Sequence, residues 1–145
     1  MLALAPDIRS KMKSRILDEE KYVQYPYTDT TGHLTVGIGR NLQSEGVSLD
    51  EALMMLDNDI MRCERDLAHY AASWYPKLDD VRKSVLIDMT FEMGIQGVLE
   101  FRVMIFNLTN GFFELAAKDM LSSKWAEQVP GRAQRLALIM ETGSL

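Results

Sequence analysis

The sequence predicts an α+β protein, mainly α, in which a small β-hairpin lobe and a larger helical lobe are joined by one long helix. Three observations carry this expectation. Ile8, Met12 and Ile16 recur at four-residue steps; Leu34, Val36 and Ile38 alternate just after the turn-forming run Asp29-Thr30-Thr31-Gly32; and apolar residues from Leu49 to Leu67 recur at steps of three and four. A chain of 145 residues suits one domain with a self-sufficient core. The expected organisation is a single domain over 1–145, with a β-rich lobe at 21–47, a connecting helix at 48–70, and a helical lobe at 71–145 that also takes in the N-terminal helix.

The first helix is expected from Asp7, following Pro6 as N-cap, to about Glu20, so Glu20 stands near a helix C-terminus. Between Tyr22 and Ile38 the β-branched and aromatic residues predict a hairpin or three-stranded sheet. Ser48 and Glu51 have capping-box spacing and open the long amphipathic helix, which ends near Tyr70. After the break at Trp74-Tyr75-Pro76, Asp79 or Asp80 caps a helix containing Val81, Val85, Met89 and Met93, which Gly94 is expected to end. Helices follow at about Val98–Leu108 and Phe112–Trp125, separated by Asn110-Gly111. Pro130 suits the first turn of a last helix, running to about Met140 and closed by Gly143. A cleft is expected where the two lobes meet. Cys63, the ten methionines, Trp74, Trp125, Phe106 and Phe112 are assigned to the core, with Met104 alone among the methionines near the cleft. His33 and His69 are expected as a hairpin residue and a helix-end residue.

Composition excludes several kinds of chemistry. One cysteine and two histidines cannot assemble a disulfide framework or a His/Cys metal cage, so neither metal nor cofactor is expected. A net charge of −5 argues against general capture of nucleic acid, although Lys124, Arg132 and Arg135 concentrate positive charge late in the chain. No apolar run approaches the roughly 20 residues of a membrane span, so no membrane association is expected. The start, MLALAPDIRSKMKSRIL, has too short an apolar stretch and no basic lead-in, so no signal peptide is expected.

Glu20, Asp29 and Thr35 lie close together in EEKYVQYPYTDTTGHLTVGIG. Breaking a glycosidic bond requires an acid to protonate the leaving oxygen and a carboxylate acting on the other side of the sugar ring. A carboxyl at a helix C-terminus faces the negative end of the dipole, which disfavours its ionised form, whereas one in a wet turn ionises readily. Glu20 and Asp29 stand in those two environments. Taken singly, each has a plainer reading: a helix-end acid, a turn former and a strand residue.

The combination goes further. Glu20, Tyr27, Asp29, Gly32, Thr35 and Gly37-Ile38-Gly39, then DMTFEMG around Phe91 and Gly94, then SSKWAEQVPGRAQRLALIMETGS with Trp125, Pro130, Arg132, Arg135, Thr142 and Gly143, occur in order along nearly the whole chain. The chain thereby resembles the phage lysozymes of the T-even type, glycoside hydrolase family 24. The resemblance implies a lysozyme-like fold and an endolysin that hydrolyses the β-1,4 bond between N-acetylmuramic acid and N-acetylglucosamine in bacterial peptidoglycan, with inversion. It implies Glu20 as general acid, Asp29 holding and activating water or stabilising positive charge on the sugar, and Thr35 fixing that water. Phe91 is the implied sugar contact; Asn41, Met104 and Asp119 fall at corresponding cleft positions with different residue types. Arg132 matches an arginine that lies against the catalytic glutamate, and Tyr27 and Gly39 support the site. The family also implies a monomer that waits in the host cytoplasm until a holin-type pore releases it towards the periplasm and cell wall. Two departures stand out: Lys21 replaces a glycine directly after the glutamate, and Pro26 enters the loop towards Asp29. A peptidoglycan-binding module without activity, a wall-degrading toxin domain, and a helical nucleic-acid-binding domain are the competing readings.

Overall fold

A proline at the first helical position loses no hydrogen bond, because that N–H has no partner within the helix. Pro6 takes that place in α1 (Pro6–Glu20) of the computed structural model, which describes residues 3–145; the first two residues of the apolar start lie outside it. Asp7 is therefore not the N-cap expected of it. Ala5 holds that position, and Asp7 sits in the first turn, where its charge favours the helix dipole.

The sheet has three antiparallel strands in the order β1 (Val23–Thr28), β2 (Leu34–Gly37), β3 (Arg40–Asn41). Thr28 faces Leu34 and Tyr27 faces Thr35, but the register shifts between Val23 and Tyr27. Pro26 stands in that irregular stretch, where a residue without an N–H is tolerated. Thr35 then faces Asn41, and Val36 faces Arg40.

The expected capping box opens α2 (Leu49–Tyr70): Glu51 N–H donates to Ser48 Oγ at 3.2 Å, and Ser48 N–H donates to the Glu51 carboxylate at 2.8 Å. Arg40 on β3 grips the same carboxylate through both terminal nitrogens and donates to the Gly46 carbonyl at 3.1 Å. The side-chain hydrogen bonds from Arg40, reinforced by the Ser48 N–H, pull Glu51 down to about 2.

The chain divides into two compact units, one reaching to Leu53 and one spanning Met54–Leu145. α1 and the sheet fall in the first unit. In the second unit a 3-10 turn (Tyr75–Lys77) precedes α3 (Asp80–Leu99), and the Asp79 side chain caps α3 by accepting from Arg82 N–H at 2.9 Å. Gly94 breaks this helix where the sequence predicts its end: it takes φ 78°, ψ 162°, outside the helical region. A second helical segment follows directly to Leu99, with Ile95, Val98 and Leu99 against the core, so α4 is Arg102–Thr109 rather than starting at Val98.

The predicted Phe112–Trp125 helix is likewise two: α5 (Phe113–Leu121) and α6 (Lys124–Gln128). Ser123 divides them, its hydroxyl donating to the Met120 carbonyl at 2.6 Å and accepting from Ala126 N–H at 3.2 Å. The last helix, α7 (Pro130–Thr142), ends at Gly143 in the left-handed region, as expected.

Leu67, Leu86, Met89, Met104, Met120 and Met140 are completely buried, and Trp74, Trp125 and Cys63 are buried as expected. Burial pushes the Cys63 thiol up, away from its reactive form. Six core assignments need correction. Phe106 and Phe112 are 63% and 50% exposed, and Met12, Met54, Met55 and Met61 also face solvent. Side chains from α4, α5 and α7, including Met104, Met120 and Met140, supply the apolar volume instead. Among the described residues no helix is long and apolar enough to cross a membrane.

Arg82 ties three parts of the second unit together. It donates to the carbonyls of Met140 (2.7 Å) and Glu141 (3.0 Å) and to Asp79 (2.9 Å), and its guanidinium lies 3.6 Å from the centre of the Phe113 ring. Burial opposes ionisation of Asp79, but the Arg82 N–H and side chain hold it below the usual carboxylate range. Gly143 admits this arrangement, since a Cβ there would stand 2.8 Å from Arg82 Nη1. Arg82→Ala is expected to lower stability by about 2–4 kcal/mol in urea unfolding, with lysine a poor substitute because it lacks the planar fork. A second expectation concerns pH. Glu51 has a folded pKa of about 2 against an ordinary 4.5, so its contribution is complete above 4.5 and disappears as pH falls towards 2. The difference in urea midpoint between the parent and Glu51→Gln should narrow over that window.

Candidate active site

Glu20 is the last residue of α1, and the chain leaves the helix through Lys21, whose N–H donates to the Leu17 carbonyl at 2.9 Å. Lys21 adopts φ 64°, ψ 164°, a region occupied almost entirely by glycine. The lysine thus accepts the backbone conformation that a glycine would adopt without strain. Gly37, the last residue of β2, and Gly39 just after it take φ 70° and 67°. A Cβ on Gly39 would come within 2.8 Å of Glu20 Oε2. The Glu20 carboxylate therefore rests against the bare α-carbon of Gly39, which is required both for its φ and for the space it leaves.

Asp29 occupies the turn between β1 and β2. Its Oδ1 accepts from Thr31 N–H at 2.9 Å, the Thr31 hydroxyl at 2.8 Å and His33 N–H at 2.9 Å. The turn closes with Asp29 N–H on the His33 carbonyl at 2.9 Å. The His33 N–H, then the Thr31 hydroxyl, lower the Asp29 pKa, with burial opposing and the Thr31 N–H and His33 charge assisting. Thr35, on β2 opposite Tyr27, is buried; its hydroxyl lies 3.4 Å from Asp29 Oδ2 and 3.0 Å from the His33 carbonyl. The first unit thus brings Asp29 and Thr35 into direct contact and seats Glu20 on Gly39.

The remaining sequence-derived candidates have these surroundings. Asn41 is occupied with its own turn, its side-chain oxygen accepting from the N–H groups of Gln43 (2.9 Å) and Ser44 (3.1 Å). In the second unit, Phe91 is 45% exposed and borders a pocket of about 320 Å³, with Leu56, Ile60, Ile87, Asp88 and Arg132 among its walls. Arg132 donates to Asp88 through Nε at 2.8 Å and through Nη2, and its Nε lies 3.3 Å from Glu92. Glu92 also accepts from Trp125 Nε1 at 3.0 Å. Asp119 accepts from Asn107 Nδ2 at 2.7 Å. Met104 is completely buried among the core residues, so its side chain presents no surface to a ligand.

The sequence reasoning passed over Thr31 as a partner of Asp29, and Asp88 and Glu92 as partners of Arg132. An Asx turn with a hydroxyl two residues on is a local pattern that points to Thr31. Asp88 and Glu92 stand four residues apart and so share a helix face.

A helix-terminal glutamate seated on a glycine turn, an Asx-turn aspartate touching a buried threonine, and a small sheet followed by helices define a lysozyme-type α+β protein. The model of the phage lysozyme family matches residues 18–138, and the chain belongs to that family. Among its relatives, probable T4-type lysozyme 1 of Dictyostelium discoideum is 28% identical, with 94% of this chain and 96% of that protein aligned. Probable T4-type lysozyme 2 of the same organism is 26% identical over comparable shares. The pre-baseplate central spike protein Gp5 of Enterobacteria phage T4 is also 26% identical, over 82% of this chain but 25% of that longer protein.

Removing the strain at Lys21 should be measurable. Lys21→Gly relieves about 1–3 kcal/mol of backbone strain and returns about 0.5–1 kcal/mol through the freer unfolded chain. A net gain of about 1 kcal/mol in unfolding free energy is expected from urea titration of the variant beside the parent.

Proposed function

We propose that this protein is a muramidase, hydrolysing the β-1,4 bond between N-acetylmuramic acid and N-acetylglucosamine in peptidoglycan. The observation that carries the reading is the arrangement of Asp29: a carboxylate held in its ionised form, with Oδ2 beside the Thr35 hydroxyl. Glu20 protonates the glycosidic oxygen as the bond from the anomeric carbon breaks. A water held between Asp29 and Thr35 attacks that carbon and gives its proton to Asp29. The Thr35 proton has a shorter path to the His33 carbonyl than to Asp29, which leaves the hydroxyl lone pairs to receive a water proton. Phe91, beside the Asp88–Arg132 pair, offers an exposed ring for a sugar face. A water activated by the second carboxylate attacks from the face opposite the leaving group, so the reaction inverts.

Action as a monomeric endolysin, released from the host cytoplasm through a holin-type pore, belongs to this proposal and rests on family membership. The match to one quarter of Gp5 favours a second setting, in which the same activity belongs to a larger delivery apparatus.

Purified peptidoglycan is expected to yield new reducing ends that mass spectrometry places at muramic acid. The α anomer should appear first by NMR. Glu20→Gln, still folded, should lose about 10²–10⁴-fold of the rate. Absence of cleavage by the folded parent would overturn the enzyme reading in favour of a wall-binding module.

A further inference from the structure

The two oxygens of the Asp29 carboxylate have unequal surroundings. Oδ1 accepts three hydrogen bonds, from the Thr31 N–H, the Thr31 hydroxyl and the His33 N–H, all between 2.8 and 2.9 Å. Among the described residues, Oδ2 has one polar neighbour, the Thr35 hydroxyl at 3.4 Å, whose single proton has its shorter path to the His33 carbonyl at 3.0 Å. A carboxylate offers about four acceptor sites over its two oxygens, so Oδ1 is saturated and Oδ2 is not.

The Thr31 hydroxyl has a second neighbour, His33 Nδ1, at 2.7 Å. A hydroxyl carries one proton. When that proton goes to Asp29 Oδ1, Thr31 must act as acceptor towards the imidazole, and the hydrogen on that side belongs to His33 Nδ1. A directed chain results: His33 Nδ1–H to the Thr31 oxygen, and Thr31 O–H to Asp29 Oδ1. The chain persists when Nε2 also takes a proton, and the imidazolium then adds a positive charge whose Nδ1 is 3.9 Å from Oδ1. His33 is the charge-bearing group facing Asp29 from the turn, and Tyr27 of β1 lies across the ladder beside Thr35.

We propose that Thr31 and His33 are positioning residues for the hydrolysis, committing Asp29 Oδ1 to the turn so that Oδ2 is the oxygen that holds the attacking water. This rests on the muramidase reading and deepens it. Thr31 fixes the rotation of the carboxylate about its Cβ–Cγ bond, and His33 fixes the direction in which Thr31 donates. Neither residue touches the substrate. Both act through Asp29, so the effect belongs to the chemical step rather than to sugar binding.

The test uses two pairs of variants of the full chain. Thr31→Val keeps the shape and removes the hydroxyl, and should lower kcat about tenfold with KM unchanged. Its acid limb should move to higher pH, because a donor to the ionised form of Asp29 has been lost. Thr31→Ser restores the hydroxyl and should recover most of the rate. His33→Phe should shift kcat and the acid limb in the same direction by less, and His33→Asn, which places an amide N–H near Nδ1, should recover the rate. The Asp29 carboxyl carbon, followed by NMR without substrate, should titrate at higher pH in Thr31→Val than in the parent. An unmoved Asp29 titration, or Thr31→Ser no better than Thr31→Val in an active parent, would overturn the proposal. A parent inactive on peptidoglycan whose Asp29 titration nonetheless moves in Thr31→Val would uphold the arrangement of the carboxylate and overturn the muramidase reading alone.

Discussion

The carboxylate of Asp29 closes the turn between β1 and β2, and the geometry of the first unit depends on that closure. With Oδ1 holding the N–H groups of Thr31 and His33, Thr28 meets Leu34 and Tyr27 meets Thr35 across the ladder. Side chains alternate along a strand, so a slip of one residue would turn Thr35 to the opposite face and part it from Asp29. The same hydrogen bonds that shape the backbone hold the acid ionised. Structure and chemistry therefore draw on one set of atoms here.

Glu20 depends on a different constraint. A helix delivers its side chain to a place where only glycine leaves room, and the exit from that helix passes through a lysine in a glycine-like conformation. Gly39 serves by lacking an atom, whereas Lys21 meets its position at a cost in backbone strain. Together with the Arg40–Glu51 fork, which joins β3 to the first turn of α2, these contacts order the unit with few buried side chains. Its stability rests on directed polar contacts more than on apolar volume.

The second unit has a conventional apolar core and uses two arginines differently. Arg82 is largely withdrawn from water, its side chain 13% exposed, and holds the end of α7 against α3. Arg132 is about one-third exposed and is shared by Asp88 and Glu92, so its pairing adds little to stability. What that pairing does is orient a guanidinium beside Phe91 at the wall of a pocket.

Much of this was legible in the sequence wherever the cause is local. The capping box of Ser48 and Glu51, the Pro130 start and Gly143 stop of α7, and the turn at Asp29 follow from residue chemistry within a few positions. Glu20, Asp29 and Thr35 could be singled out because their spacing reflects a helix end, a turn and the strand after it. Gly94 and Gly143 both take positive φ and both close a helical segment, as their chemistry predicts. That a second helical segment starts directly after Gly94, with Ile95 and Leu99 against the core, is not written in the glycine. The same limit separates Met104, wholly buried, from Phe106 two residues on, mostly exposed: apolar character alone does not say which side of a helix meets the core. The sequence by itself determined the class of fold, most of the helix ends and which residues are candidates for chemistry, since these follow from short-range periodicity and from side-chain types. Tertiary structure decided that the Glu20 carboxylate rests on Gly39, that one oxygen of Asp29 is saturated, and which apolar residues form the core. Those outcomes depend on contacts between segments brought together only by folding.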